Sequence, residues 1–100
     1  MAYFKWLASP QDITPGSSGS WQTVTASSCP STATALIIHV ANPSTTLTRA
    51  IGWKHPNSSR SYVNYLSAYH HMWLMAPCNT SQQIDIYVAN IAVKFWVTGY

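Results

Sequence analysis

Few residues in this chain can do chemistry, and their spacing narrows what that chemistry is. Asp12 and Asp85 are the only carboxylate side chains. A catalytic carboxylate pair would need both at once, and a polycarboxylate calcium or magnesium cage has too few ligands. His70-His71 is the one histidine doublet, and successive residues of a strand point to opposite faces, so the two do not share a metal there. His39, alone in an apolar run, reads as a hydrogen-bonded core residue rather than a ligand. Cys29 and Cys78 belong to no C-x-x-C spacing, which sets a zinc site aside. Both lie in proline-containing turns, and a bridge between them would close a loop of about fifty residues, adding about 4 kcal/mol in the chain-entropy view. A disulfide is expected, with two buried free thiols as the alternative. Serine is abundant, but no G-x-S-x-G elbow is present and Asp12 falls in an N-terminal arm. Neither an enzyme, a metal site nor a bound cofactor is expected.

Charge is nearly absent. Five basic residues (Lys5, Arg49, Lys54, Arg60, Lys94) face two acids, so the formal charge of +3 reflects scarcity of acid. No Lys/Arg run exists, which argues against a nucleic-acid partner. Ser, Thr, Asn and Gln take the place of charge, together with five Trp and six Tyr. An apolar fraction of 47% excludes a disordered chain. The longest apolar run, Ala35 to Ala41 counted through His39, is far too short to span a bilayer as a helix. Met1 to Ser9, with Lys5 as its one basic residue, lacks the apolar stretch of a secretory signal.

These residues must be positioned by strands. A length of 100 residues sets one domain, and turn chemistry divides it. Pro10, Pro15, Gly16 and the Ser17–Ser20 stretch read as an extended arm and linker over residues 1–20. From Trp21 onward, β-prone runs alternate with turns: Trp21–Ala26, Ala35–Asn42, Arg49–His55, Ser61–Ala68, His70–Met75, Gln83–Ala89 and Ala92–Thr98. That spacing predicts an all-β antiparallel sandwich or jelly roll of seven to eight strands over residues 21–100. The last two runs read as a hairpin around Asn90-Ile91. It would bury Ile84, Ile86, Val88, Val93, Phe95 and Val97 on one face and set Asp85 diagonal to Lys94 on the other. Ala35–Ala41, apolar on both faces, reads as a central strand.

Two surfaces stand out as recognition candidates. Tyr3, Phe4, Trp6 and Leu7 put four large apolar side chains ahead of the linker, which predicts docking onto a neighbouring subunit; folding back over an edge strand is the alternative. Trp53, Lys54 and Arg60, with Tyr87 and Trp96, form a second candidate surface; as a class, the aromatics fit core and subunit contacts better than a sugar platform.

The stretches Ala33–Asn42, Gly52-Trp53-Lys54 with its polar loop to Arg60, His71-Met72-Trp73 and Val93–Tyr100 resemble small β-sandwich modules of phage virion proteins and related environmental sequences. The resemblance covers about residues 20–100. It departs from their pattern at Trp53, where a basic residue tends to follow the glycine, and the two cysteines are not part of that pattern. It implies a non-enzymatic subunit of a virion or extracellular assembly: a capsid-decorating, tail or fibre protein that contacts itself or capsid and tail proteins as a homo-oligomer. The alternative is a carbohydrate-binding module with a glycan partner.

Overall fold

The computed structural model describes residues 4–100. Eight strands account for its regular structure: β1 (Trp6–Asp12), β2 (Trp21–Thr25), β3 (Ala35–Ala41), β4 (Arg49–Lys54), β5 (Tyr62–Leu66), β6 (His71–Pro77), β7 (Gln83–Val88) and β8 (Lys94–Gly99). They form two four-stranded antiparallel sheets, ordered β1-β8-β3-β6 and β2-β7-β4-β5. The pairings nest: β4 pairs with β5, β3 with β6, β2 with β7 and β1 with β8. The chain is thus one long antiparallel ribbon rolled upon itself, which is the connectivity of a jelly roll.

Period-2 alternation explains the layers. Leu36, Ile38 and Val40 of β3, Val97 and Phe95 of β8, and Ile84, Ile86 and Val88 of β7 are all buried in one core between the sheets. β3 is central, flanked by β6 and β8, yet its outward residues Ile37 and His39 are half-exposed. His39 therefore lies on the outer face and not in the core, because Ile38 and Val40 already take the inward positions.

Three further sequence expectations need correction. First, β7 and β8 are not a hairpin: they belong to different sheets. Asn90 does turn the chain, accepting from the Ala92 amide at 2.8 Å, but the turn carries it across the sandwich. All six expected inward residues are buried nonetheless, because each strand faces the same interlayer from its own side. With the hairpin goes the Asp85–Lys94 pair; Asp85 meets Lys54 Nζ at 3.5 Å and accepts from Thr23 Oγ1 at 2.6 Å.

Second, the N-terminal segment is no extended arm. β1 pairs with β8 at the edge of the first sheet, its register shifting between Trp6 and Gln11. The irregular stretch contains Pro10, which an edge strand tolerates at a bulge. Beyond β1, the Ile13 amide donates to the Phe95 carbonyl at 2.9 Å, and Ile13 and Pro15 are buried. The boundary expected at residue 20 thus does not detach the preceding residues from the sandwich.

Third, Cys29 and Cys78 are free thiols, both buried. Their turns face inward, and Cys78 Sγ donates to the Ala33 carbonyl at 3.4 Å. Burial raises both thiol pKa values, with Cys78 adding to the effect at Cys29, so neither is an activated nucleophile.

Two substitutions test this arrangement by chemical denaturation. Phe95→Ala, at the centre of the core, is expected to cost about 3–5 kcal/mol, and Trp96→Ala on the outer face far less. At Gly99 an added Cβ would lie 2.5 Å from the Lys5 carbonyl oxygen. Gly99→Ala is therefore expected to displace the start of β1 and to lower stability about as much as trimming residues 1–7, with little further loss when the two changes are combined.

Candidate functional site

The outer face of the first sheet gathers a contiguous set of exposed aromatic and apolar groups. Register sets its rows: Trp6 lies beside Gly99, which lies beside Ile37 and then Met75. In the next row Trp96, His39 and Trp73 stand side by side, and beyond them Lys94, Ala41 and His71. Trp73 lies 4.7 Å from His39 with planes 21° apart, and Trp96 lies 5.5 Å away at 24°. The three rings are therefore a cross-strand stack, held at the spacing of neighbouring strands. Trp6, whose Cε3 would lie 3.4 Å from a Cβ at Gly99, crosses that glycine to meet Trp73 at 6.3 Å with planes 87° apart. Glycine is required there because any side chain would fill the space β1 occupies.

Exposure is high where the face is apolar: Phe4 65%, Trp6 67%, Trp73 57% and Met75 50%. A shallow depression of about 330 Å³ runs between Phe4, Trp6, Ile37, Trp73 and Met75. It adjoins a groove of about 450 Å³ bordered by Phe4, Thr34, Met75 and Tyr100. Charge is confined to the margin of this face: Lys5 and Lys94, and Asp12, which pairs with Trp96 on the edge strand β1.

One polar device sits within this face. His39 Nε2 and His71 Nδ1 are 2.8 Å apart, their rings 12° from a common plane, so one nitrogen donates and the other accepts. Partial burial holds the His39 pKa below the usual imidazole range, and the neighbouring His71 lowers it further. The two rings offer two nitrogen ligands, and no group of three His, Cys, Asp or Glu suited to a metal occurs among the described residues. His70, the other half of the sequence doublet, is in the turn before β6 and takes no part.

The expected recognition residues are dispersed. Phe4 and Trp6 lie on the face just described, while Leu7 is half-buried against the core and Tyr3 lies outside the described residues. Trp96 shares that face. Lys54 and Tyr87 are on the opposite sheet, where Trp21 packs on Tyr87 at 5.9 Å and Lys54 Nζ stands 5.6 Å from the Trp21 ring. Trp53 packs against the core and stacks on Tyr62 at 5.9 Å; Arg60 is exposed in the loop between β4 and β5. Trp53, Lys54, Arg60, Tyr87 and Trp96 thus do not form one surface. The contribution of His39, Trp73 and Met75 was hidden because sequence alternation does not show which outer face is left uncovered.

Arg49 and Asn42 mark one end of the sandwich. Asn42 is fully buried, its Nδ2 donating to the carbonyls of Leu47, Leu66 and Ser67 at 2.8–3.2 Å. Arg49 Nε and Nη1 are buried with no hydrogen-bond partner among the described residues.

No protein-family model matches the chain, and no curated protein matches it in sequence.

The lowered His39 pKa has a definite sign. Between that value and the ordinary one near 6.5 the unfolded chain binds more protons than the folded one, so stability rises with pH there. Stability is expected to be full above about pH 6.5, to fall as the pH drops through it and to level off below the folded-state pKa. Melting temperatures measured from pH 7.5 to pH 4.5 should show that decline, and His39→Gln should flatten it.

Proposed function

We propose that this protein is a structural subunit of a virion or extracellular assembly, a capsid-decorating, tail or fibre component without catalytic activity of its own. It works through protein–protein contacts made by the outer face of the first sheet. The observation that carries this reading is the contiguous exposed surface of Phe4, Trp6, Trp73 and Met75, of a kind that free monomers seldom leave in water. Its make-up, aromatic and methionine-bearing with charge only at the rim, is that of an interface centre. The jelly roll serves capsid shells and lectins alike, so the architecture agrees with the reading without selecting it. The resemblance of residues 20–100 to phage virion modules points the same way.

Carbohydrate binding is the second reading, favoured by the exposure of Trp6 and Trp73. Their rings, however, meet at right angles and share no flat platform. Light scattering of the purified chain separates the two. A defined oligomer is expected without sugar, and Trp73→Ser combined with Met75→Ser should reduce its size with only a small change in melting temperature. A monodisperse monomer at every concentration, retained on a glycan array, would replace this reading with the second.

A further inference from the structure

We infer that the open edge of β5 is a self-pairing surface, where two copies of the chain join their second sheets across a two-fold axis. This edge belongs to the second sheet, and the inference holds whatever covers the outer face of the first.

β5 is the outermost strand of its sheet and its contacts are chiefly with β4. Tyr62, Val63 and Tyr65 are 50%, 56% and 71% exposed. The strand reads Tyr-Val-Asn-Tyr-Leu, with no charge, proline or glycine to blunt its edge.

Hydrogen-bond directions show what the edge offers. In an antiparallel strand the amide and carbonyl of one residue point to the same side, and successive residues alternate. Ala50 lies opposite Tyr65, yet its carbonyl accepts from Ala89 at 3.0 Å on the β7 side, so the Ala50–Tyr65 pair is not hydrogen-bonded. The Tyr65 amide accordingly turns away from β4 and is held only by the adjacent Asn64 Oδ1 at 2.8 Å. Val63 and Tyr65 therefore direct their backbone groups to the open edge, while Tyr62, Asn64 and Leu66 direct theirs to β4.

A second β5 fits this edge in one antiparallel register. With Asn64 on the axis, Val63 faces Tyr65 of the second copy and Tyr65 faces its Val63, two hydrogen-bonded pairs that engage every outward amide and carbonyl of both strands. Tyr62 then faces Leu66, and Asn64 faces itself. The resulting pairs are aromatic with β-branched and aromatic with aliphatic, which suit a sheet. Centring on Val63 would set Tyr65 against Ser61, and centring on Tyr65 would set Val63 against Ser67. In the favoured register Arg60 faces Ala68, so no like charges meet. A strand with no charge of its own gives a charged partner nothing to read, whereas its own sequence complements it. An edge of five residues is well below the roughly 800 Å² per partner of a standard stable interface, so the pair is weak and concentration-dependent.

Cysteine cross-linking tests it. A residue on the axis meets its own copy at a Cα separation of about 4.5 Å, within the range of a disulfide. Asn64→Cys, oxidised with diamide, is expected to give a covalent dimer that reductant dissolves. Val63→Cys, which faces Tyr65, should give far less, and the wild-type chain none. In sedimentation equilibrium, Tyr65→Pro removes an outward amide that β4 does not use and should weaken dimerisation about tenfold while the β-sheet circular dichroism persists. The Trp73→Ser, Met75→Ser chain should cross-link through Asn64→Cys undiminished, which separates this edge from the first-sheet face. A folded Asn64→Cys chain that stays monomeric under oxidation, or Val63→Cys linking as readily, would overturn the pairing.

Discussion

Everything in this molecule depends on the nesting of its strand pairs. Once β4 and β5 form the tip of the ribbon, β3 must meet β6, β2 must meet β7 and β1 must meet β8, and the ribbon buries its apolar side only by rolling into two layers. The outermost pair joins the two ends of the chain and spans the longest sequence separation in this nest. That is why the Ile13 amide on the Phe95 carbonyl, and the reciprocal bonds between Lys5 and Tyr100, matter more than the irregular register of β1 suggests. Nearly all of these pairings join residues distant in sequence, so loop-closure entropy is spent before the core repays it.

Alternation along the strands was legible from the sequence, and the partnership of the strands was not. Ile84, Ile86, Val88, Val93, Phe95 and Val97 were read as inward and are inward. A period of two records only which face meets the core, and two strands facing one another across a sandwich give the same record as two strands side by side. The hairpin around Asn90 was the local solution; the structure takes the other, because β7 is held between β2 and β4 while β8 is held between β1 and β3. The N-terminal segment departs from the expected arm for a related reason. Pro10 excludes a central strand, but β1 is an edge, where one amide is free to be missing. The cysteines fell in turns as read, but turn residues reveal nothing of which way a side chain points, and both thiols point in.

The scarcity of charge shapes the rest. With two acids in the chain, the described structure has one ion pair, Lys54 with Asp85, reinforced by Thr23. Neutral devices replace charges elsewhere: Asn42 ties three carbonyls at one end, and Gln11 reaches from β1 to Ser27 Oγ at 3.0 Å and to the Ser28 amide at 2.9 Å. The His39–His71 pair is the exception that introduces a conditional charge. His39 stands between Trp73 and Trp96, so protonating it would place a positive charge amid their rings. Any contact made by this face is thereby linked to pH through His39, which is not at its rim.

The four open edges show how selectively the fold protects itself. β1 carries Pro10 and an interrupted register, features that deny a regular template to an incoming strand. β6 ends on Pro77, and the end of β2 is fastened by the Gln11 bridge, with Gln11 Nε2 also 3.5 Å from the Thr25 carbonyl. β5 has none of these devices, and the nearest charge along the chain, Arg60, lies in the preceding loop. A chain that interrupts β1, ends β6 on a proline and ties down the end of β2 leaves β5 alone uncharged and aromatic with no such device. An edge in that condition either aggregates without limit or is satisfied by a partner of fixed register. The near-symmetry of Tyr62, Val63, Asn64, Tyr65 and Leu66 about the asparagine supplies such a register, and two-fold closure ends the pairing after one step.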